Sequence, residues 1–404
     1  MPKLLQISTE VNSGSVGRIA EQIGETAMAN GWQSYITYAR NHLPSKSNTI
    51  RIGSKFDVYW HGVMTRLFDT HCLHSTVATK RLVEQIKSIA PDVILLHHIH
   101  GYFLNMKVLF DYLATIETPV VWVFHDCWSI TGHCAHFEWA QCDKWKSCCY
   151  DCPQKGEYPA SVIFDRSRKN YIEKRELFTS VKNMTIVPVS NWLGDIVKES
   201  FLGKYDVEVI HNGIDVFTFR PLPSDIKERY DISDKKVVLG VASPWSRRKG
   251  LEDFFELHRH ISSDEYQIVL IGLSEDQIKQ LPNGIIGLRR TESVEELAKW
   301  YSAANVFLNP TYEDTYPTTN LESISCGTPV VTYRTGGSPE SLTAKTGKVV
   351  EKGDVEAIAK AIMDLCAEDR EVMRMCCRDY AIEHFDKRNC FDSYMKLYNK
   401  IIKR

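Results

Sequence analysis

The sequence predicts an α/β protein made of two doubly wound, Rossmann-like domains, each built on a parallel β-sheet. Short apolar segments alternate with segments of helical periodicity along the chain, as parallel strands and their covering helices require. The 404 residues exceed what one hydrophobic core usually serves, so two domains of ~200 residues each are expected. Ligands of such domains bind at the carboxyl ends of the strands, and we expect a site in a cleft that both domains face.

Six candidate strands occur in the first half of the chain, each a short and mainly apolar run. They cover residues 3–8, 33–38, 92–98, 120–124, 184–189 and 207–211. The segment between the first two strands carries apolar residues at the spacing of one helical face, namely Val16, Ile19, Ala20, Ile23 and Ala27. This half of the chain therefore predicts one sheet with helices between its strands.

The second half of the chain repeats this alternation. Its candidate strands cover residues 236–242, 266–271, 284–288, 306–309, 329–333 and 348–350. A turn signal followed by two prolines, within residues 212–223, indicates the boundary between the domains. We predict an N-terminal domain at residues 1–214, a C-terminal domain at residues 215–385 and a final helix at residues 386–404.

The final helix has an apolar stripe that must be buried against another part of the protein. The stripe contains Phe391, Tyr394, Leu397, Tyr398, Ile401 and Ile402. Either domain could accept this stripe, and packing back on the N-terminal domain is the arrangement that we expect.

Composition excludes several classes of function. The formal net charge is −2 at pH 7, which argues against bulk electrostatic binding of nucleic acid. No apolar run reaches the ~18 residues that span a membrane, and the first residues lack the apolar region of a signal peptide. We expect a cytoplasmic enzyme. The basic end of the chain suggests peripheral contact with the inner face of a membrane, although so short a basic end is more often a solvated helix terminus.

The segment 309–327 contains the most informative motif, because it places two carboxylates eight residues apart across a turn and the start of a helix. The free amides at the helix start favour a phosphate, while Asp314 and Glu322 can accept hydrogen bonds from sugar hydroxyls. The alternative interpretation is a turn-forming Asp314 and a solvated Glu322. Other parts of the chain must decide between the two.

Five cysteines cluster in the segment 134–152, which is rich in Trp, Lys and Asp. In a cytoplasmic chain such clustering favours zinc ligation over free thiols, and free thiols over disulfides. Cys149 and Cys152 have the spacing of a zinc knuckle, and Cys134 and Cys142 would complete a structural site of four thiolates.

Several motifs together resemble family 4 retaining glycosyltransferases of the GT-B fold, in the branch of bacterial surface-polysaccharide transferases. Each motif is weak alone, but their order along nearly the whole chain is specific. They are Gly14 to Ala20, His125 to Gly132, Asn212 to Asp215, Lys249-Gly250, the Asp314 and Glu322 pair, and Cys326 to Val331.

The resemblance implies roles for three groups of residues. His125, Asp314 and Lys249 would act at the reacting sugar and its leaving diphosphate. Glu322 would bind the ribose, and the amides around Thr315 and Tyr316 would meet the diphosphate or the sugar. Asp314 stands where the family usually has Glu, and Glu313 is the neighbouring candidate, one residue out of register.

The remaining predicted donor contacts are basic or small residues. The family's usual Arg is replaced by about Ser243, so Arg247 or Arg248 would have to reach in from the loop beside Lys249. A solvated turn is nearly as good an interpretation of these two arginines. Gly14 and Ser15 start the first helix, where their backbone can approach an anionic group or merely cap the helix.

The resemblance implies an N-terminal acceptor-side domain and a C-terminal donor domain. The donor would be a UDP- or GDP-sugar, and the acceptor a glycan or a lipid-linked saccharide. The chain has no Asp-x-Asp sequence, so we expect catalysis without a metal cofactor. His97, His98, His100 and Tyr102 would face the acceptor, and three close histidines are not in themselves evidence of a metal. The alternatives are a non-catalytic nucleotide-sugar-binding scaffold and a nucleotide-sugar hydrolase or epimerase.

Overall fold

The architecture consists of two compact units, seen here in a computed structural model that describes residues 1–403. The first unit contains Met1–His211 together with the chain from Phe391 onward, and the second contains Asn212–Cys390. Each unit is built on one sheet, of seven strands in the first and six in the second. All strand pairs within both sheets are parallel, so the predicted α/β class with two parallel sheets is confirmed.

The first unit alternates strands and helices along the chain. Its strands are β1 Lys3–Ile7, β2 Gln33–Tyr38, β3 Asn48–Arg51, β4 Val93–Leu96, β5 Val120–Phe124, β6 Met184–Pro188 and β7 Asp206–Val207. Its helices are α1 Gly14–Ala29, α2 Lys55–Phe68, α3 Thr76–Ile89, α4 Met106–Leu113, α5 Ser167–Phe178 and α6 Asn191–Glu199. The strand order is β3-β2-β1-β4-β5-β6-β7, so the order reverses between β1 and β4. Such a reversal is where open α/β sheets bind ligands.

Burial explains which strands of this sheet can be predicted from the sequence. Every residue of β4, β5 and β6 is buried, which is why these strands are almost purely apolar. The edge strand β3 has three exposed residues out of four and a polar composition. Its pairing with β2 makes it a strand, and that pairing has no signal in the local sequence. β3 was accordingly not among the predicted strands.

The second unit follows the same plan. Its strands are β8 Lys236–Val241, β9 Tyr266–Ile271, β10 Ile286–Leu288, β11 Val306–Asn309, β12 Val330–Tyr333 and β13 Gly347–Val350. Its helices are α7 Ile226–Arg229, α8 Leu251–His260, α9 Glu275–Lys279, α10 Val294–Ala303, α11 Thr318–Ser325, α12 Val355–Ala367 and α13 Arg370–His384. The strand order is β10-β9-β8-β11-β12-β13, which reverses between β8 and β11.

One core cluster of the second unit joins helices α8 and α12 to the sheet. It contains Phe254 and Leu257 of α8 and Ile358 and Ile362 of α12, packed against apolar residues of β8, β9, β11 and β12. Gly240 of β8 permits this close packing, because a Cβ atom there would lie only 2.5 Å from the ring of Phe254. This packing supports the edge of the sheet from which α8 and α11 begin.

The last helix, α14 Lys387–Ile402, begins in the second unit and continues into the first. Within the second unit, the Lys387 ammonium lies 2.9 Å from the Asp215 carboxylate, and the Ile214 amide donates to the carbonyl of Phe385. Within the first unit, the Tyr398 ring lies 5.7 Å from the ring of Trp32. Of the helices in the described residues, none is both long enough and apolar enough to cross a lipid bilayer.

Arg378 of α13 fastens three separate segments of the second unit. Its guanidinium donates to the carbonyls of Val216, Phe219 and Ser325, at 2.8 Å, 3.0 Å and 3.0 Å. It also donates to the Ser325 hydroxyl, which itself donates to the carbonyl of Phe219. One charged side chain therefore joins α13 and α11 to the residues that follow Asp215.

We predict that Arg378→Met lowers the free energy of unfolding by about 3 kcal/mol, because part-buried carbonyls lose a charged donor and are left unsatisfied. The matched control is Arg259→Met on α8, whose side chain is 74% exposed and should change stability by less than about 0.5 kcal/mol. Urea unfolding of both variants measures the difference. Equal stability of the two variants would contradict the fastening role of Arg378.

Candidate functional site

A buried amide and hydroxyl network fixes the start of α11 against the end of β11. The side-chain amide of Asn309 donates to Asn320 Oδ1 at 2.8 Å. The Asn320 amide in turn donates to the hydroxyls of Ser338 and Ser341, at 3.1 Å and 3.0 Å. All four side chains are buried, so the loop between β11 and α11 is held at both ends.

This loop contains Asp314, whose carboxylate meets Lys249 from the loop that follows β8. The Lys249 Nζ lies 2.6 Å from Asp314 Oδ2, with the two side chains 24% and 19% exposed. Asp314 Oδ1 accepts from the amide of Tyr316 at 3.2 Å, and the Asp314 carbonyl accepts from the amide of Gly337 at 3.1 Å. The structure thus joins two motifs that are distant in the sequence, at neighbouring strands β8 and β11.

The two arginines beside Lys249 lie in different environments. Arg247 is 72% exposed, and its Nε lies 3.4 Å from Glu252 Oε2. Arg248 Nε lies 3.9 Å from Glu313 Oε2, and the side chain of Glu313 is only 2% exposed. Glu313 is therefore buried beneath the loop, while Asp314 is the more accessible of the two neighbouring carboxylates.

Glu322 lies one turn into α11 and is oriented by a buried tyrosine. The Tyr301 hydroxyl donates to Glu322 Oε2 at 3.0 Å, and Tyr301 itself is fully buried. Burial, followed by the nearby Glu322 carboxylate, raises the pKa of Tyr301 well above its usual value, so this hydroxyl remains a donor. Thr315 and Tyr316, just before α11, are also buried.

Gly14 and Ser15 begin α1 as expected and are exposed. Gly14 has φ +64°, a left-handed conformation that glycine adopts without strain. A Cβ atom at Gly14 would lie 2.8 Å from Glu10 Oε2, so the glycine also allows this carboxylate to approach the first turn.

His125 directly follows β5 and ends a chain of buried polar groups. His97 Nδ1 lies 3.3 Å from His125 Nε2, and His97 Nε2 lies 3.0 Å from Gln6 Oε1. Burial lowers the pKa of His97 to about 3 and that of His125 well below its usual value. Both imidazoles are therefore neutral at pH 7, and the His125 ring is held in position from β1 through β4.

Asp126, the residue after His125, was not a sequence candidate. Its carboxylate faces His98 and His100, which follow β4. All three side chains therefore lie at the carboxyl ends of adjacent parallel strands. The position of Asp126, directly after the histidine that follows β5, could have marked it as a candidate site residue. The sequence alone did not show that the carboxylate turns toward the histidines.

Lys174 of α5 holds the loop that follows His125, and it was also missed. It is 2% exposed, and its ammonium donates to the carbonyls of Trp128 and Thr131 at 2.7 Å and 3.0 Å. The same nitrogen lies 3.4 Å from the centre of the Trp128 ring, a cation–π distance. Burial lowers the pKa of Lys174 to about 7.

The four candidate zinc ligands line one small cavity, whose walls include Cys134, Cys142, Cys149 and Cys152. Cys134 and Cys152 are hydrogen-bonded to each other, and this bond is the largest cause that lowers the pKa of Cys152, to about 7. Within residues 1–403, no three of these sulfur atoms lie within 4.8 Å of one another. Tetrahedral zinc needs sulfur atoms ~3.8 Å apart, so the four thiols would have to move closer to ligate it.

Two family models match the chain. The model described as Glycosyltransferase Family 4 matches residues 16–217, which is half of the chain, and the model described as Glycosyl transferases group 1 matches residues 235–368. The first covers most of the first unit, and the second covers β8 to α12. Between them they include His125, Lys249, Asp314 and Glu322.

Curated relatives include two bacterial transferases. The chain is 22% identical over 384 residues to WcaC of Escherichia coli K12, whose name places it in colanic acid biosynthesis as a glycosyl transferase; the match covers 87% of this chain and 88% of WcaC. It is 30% identical over 204 residues to a GDP-mannose-dependent α-(1-6)-phosphatidylinositol monomannoside mannosyltransferase of Mycolicibacterium smegmatis, covering 45% of this chain and 53% of that protein.

Solved structures with the same fold extend over the whole chain. Sucrose-phosphate synthase from Thermosynechococcus elongatus matches with a TM-score of 0.73 at 16% identity, covering 100% of both chains. Anabaena Alr3699/HepE in complex with UDP matches with a TM-score of 0.68 at 14% identity, covering 99% of this chain and 100% of that one. The fold is therefore the GT-B fold that the resemblance implied.

The lowered pKa of Lys174 predicts a pH-dependent contribution to stability. Above about pH 7 the folded Lys174 is neutral, whereas the unfolded lysine keeps its proton up to about pH 10.5. The unfolded state thus binds more protons in this window, so stability rises with pH, by up to about 1.4 kcal/mol per pH unit from this group. We expect Lys174→Met to remove this slope between pH 7 and 9.

Urea unfolding at several pH values measures the slope. The control is Lys279→Met, whose side chain is 72% exposed and should leave the slope of the parent protein unchanged. The same slope in Lys174→Met and in the parent protein would show that the folded lysine keeps an ordinary pKa.

Proposed function

Because the chain belongs to glycosyltransferase family 4, we propose that it transfers a sugar from a UDP- or GDP-sugar to a hydroxyl of a polysaccharide or lipid-linked acceptor, with retention of anomeric configuration. The family establishes a glycosyltransferase. A nucleotide-sugar donor is supported by a relative named as GDP-mannose-dependent and by structural neighbours in complex with UDP and with UDP-glucose. A role in polysaccharide biosynthesis is supported by the relative WcaC, whose name refers to colanic acid biosynthesis.

The observation that carries this proposal is the 2.6 Å contact between Lys249 Nζ and Asp314 Oδ2. It brings the basic loop after β8 together with the acidic loop after β11, at the point where the strand order of the second sheet reverses. A cation and a carboxylate at this edge match the two parts of a nucleotide sugar, its phosphates and its hydroxyls. Both side chains are partly exposed, so a ligand can reach them.

The charge that develops during transfer accounts for the role of Lys249. As the bond from the anomeric carbon to the phosphate oxygen breaks, its electron pair stays on the nucleoside diphosphate, and the ammonium stabilises that charge. The acceptor hydroxyl adds to the anomeric carbon on the same face, and its proton passes to the departing phosphate oxygen. We propose that no divalent ion is needed at the diphosphate, since Lys249 supplies the compensating charge.

We propose three further donor contacts in the second unit. Glu322, oriented by Tyr301, would accept from the ribose hydroxyls. The amides around Thr315 and Tyr316, just before α11, would donate to the diphosphate or the sugar, with the Tyr316 amide exchanging its contact with Asp314 Oδ1 for the ligand. Asp314 would contact the sugar. The amide of Gly337 donates to the Asp314 carbonyl and so fixes the backbone of this residue.

In the first unit, we propose that His125 donates to or accepts from a hydroxyl of the transferred sugar. Its ring is neutral and held by His97, so it can serve as an oriented hydrogen-bonding group. Gly14 and Ser15 would bring the first turn of α1 close to an anionic group of the donor. Arg247, Arg248 and Lys249 would supply the basic loop, with Lys249 as the direct contact.

We also propose a cytoplasmic protein with peripheral contact at the inner face of the membrane, where a lipid-linked acceptor would be located. Support comes from α2, on which Phe56 and Tyr59 are each 70% exposed and Trp60 is 49% exposed. Lys55 and Arg66 flank these aromatic residues on the same helix. Exposed aromatic and basic residues on one helix are typical of interfacial binding.

The transfer reaction is tested by release of nucleoside diphosphate from a panel of UDP- and GDP-sugars, with and without candidate acceptors and with a chelator present. We expect acceptor-dependent release from one donor, and Lys249→Met to lower kcat roughly 10²- to 10³-fold because the leaving charge loses its partner. Lys279→Met is the matched control on an exposed helix.

Other results of the same assay would contradict the proposal. Donor binding without release under every acceptor would indicate a non-catalytic binding protein. Release that does not depend on an acceptor would indicate a hydrolase. Loss of turnover by the parent protein on chelation, restored by adding a divalent ion, would contradict transfer without a metal and the charge role given to Lys249.

We propose, in addition, that zinc gathers Cys134, Cys142, Cys149 and Cys152 into a closed structural site around the cavity that they line. Cys149→Ser and Cys152→Ser should each remove one zinc ion per chain from the purified protein, together with its sulfur coordination. Cys376→Ser on α13 is the control. Absence of sulfur-coordinated zinc from the parent protein, measured by metal analysis and X-ray absorption, would rule the site out.

A further inference from the structure

Three side chains outside the proposed donor contacts converge at the carboxyl edge of the first sheet. His98 and His100 follow β4, and Asp126 follows β5, the strand paired with β4. One imidazole nitrogen of each histidine and a carboxylate oxygen of Asp126 all lie within 4.8 Å of one another. The cluster therefore follows from parallel pairing of two buried strands, and it lies at a rigid part of the unit.

The distances in this cluster match those between ligands of one metal ion. His98 Nε2 lies 3.4 Å and His100 Nε2 lies 3.1 Å from the same atom, Asp126 Oδ2. Ligands bound at ~2.1 Å from one ion are separated by roughly 3.0 Å in an octahedral site and roughly 3.4 Å in a tetrahedral site. The two observed separations lie within this range.

A single carboxylate oxygen is the shared partner of two buried imidazole nitrogens. His98 Nε2 and His100 Nε2 both approach Asp126 Oδ2, and neither nitrogen has a hydrogen-bond partner other than this carboxylate. His100 is 4% exposed and Asp126 is 8% exposed, so water has little access to them. Buried polar atoms need partners, and a cation at this point would coordinate both nitrogens and the carboxylate at once.

The outer atoms of the same residues are held by other groups, as is usual around metal ligands. His100 Nδ1 lies 3.2 Å from the Tyr158 hydroxyl, which orients Nε2 toward the cluster. Asp126 Oδ1 accepts from the amide of Trp128 at 2.9 Å, which leaves Oδ2 directed at the histidines. Each of these two residues is thus fixed at one end and presents its other end to the same point.

We propose that His98, His100 and Asp126 bind one divalent transition-metal ion, such as zinc, through two imidazole nitrogens and one carboxylate oxygen. Two imidazoles select a first-row transition ion over Mg²⁺ and Ca²⁺, which prefer oxygen ligands. The side chain of His98 is 29% exposed although its Nε2 atom is buried, and three protein ligands leave at least one coordination position for a small oxygen ligand. The site uses no thiol and none of the residues assigned to the diphosphate.

Cobalt binding to the full chain tests this site. After removal of metals with a chelator, we expect Co²⁺ titration, followed by calorimetry and visible absorption, to show one ion bound by nitrogen and oxygen. Asp126→Asn keeps the shape of the side chain and the Trp128 contact, and should weaken this binding at least 100-fold. His98→Ala, at the more exposed position, should do the same, and excess Mg²⁺ should not displace the ion.

Matched controls separate this site from the cysteine cluster and from misfolding. His260→Ala on α8 removes a surface histidine and should bind Co²⁺ as the parent protein does. Ions held by thiolates show sulfur-to-metal charge-transfer bands, which Asp126→Asn and His98→Ala should leave unchanged. Circular dichroism and thermal unfolding establish that both variants remain folded. Transferase activity is not the readout, so failure of the proposed function would not affect the result.

Two outcomes would overturn the proposal. One is a parent protein that binds no ion through nitrogen and oxygen, as judged by cobalt spectra and by zinc X-ray absorption at the ~2.0–2.1 Å distance of such ligands. The other is equal Co²⁺ affinity and stoichiometry in the parent protein and in folded Asp126→Asn and His98→Ala.

Discussion

Both sheets are parallel throughout, and parallel pairing places the carboxyl ends of neighbouring strands at one edge of each sheet. The strands β4, β5 and β11 are short and wholly buried, so the polar residues that follow β4 and β5 and the loop that follows β11 meet at these edges. In the second unit this constraint brings Lys249 beside Asp314, and in the first it brings His98 and His100 beside Asp126. The chemistry of both units therefore depends on strand order more than on any single loop.

Low solvent exposure gives these polar groups their properties. A buried Lys174 loses much of its basicity, and buried imidazoles such as His97 remain neutral, because a charged form has little water to stabilise it. The Lys249 and Asp314 pair is more exposed, so it is accessible to an ionic ligand. The first unit thus offers mainly neutral donors and acceptors, and the second offers a cation and carboxylates.

Much of the fold could be predicted because burial leaves a signal in most strands. Eleven of the thirteen strands correspond to predicted strands. β7 shares only Val207 with the strand predicted at residues 207–211, and β3 was not predicted, since it is an exposed polar edge strand made by its pairing with β2. The ends of the strands were predicted less well. The predicted strand at residues 92–98 includes His97 and His98, but β4 stops at Leu96. These two histidines are loop residues, and their side chains turn toward His125 and Asp126, which follow β5.

The sequence by itself determined the two-sheet α/β plan, the family, and the segments that contain His125, Lys249, Asp314 and Glu322, because periodicity and motif order are local properties of the chain. Tertiary structure alone decided which side chains meet. It turned Glu313 inward and left Asp314 accessible to Lys249, and it placed Asp126 against two histidines. Contacts between residues far apart in sequence depend on strand order and side-chain direction, and neither is encoded in the spacing of residues along one segment.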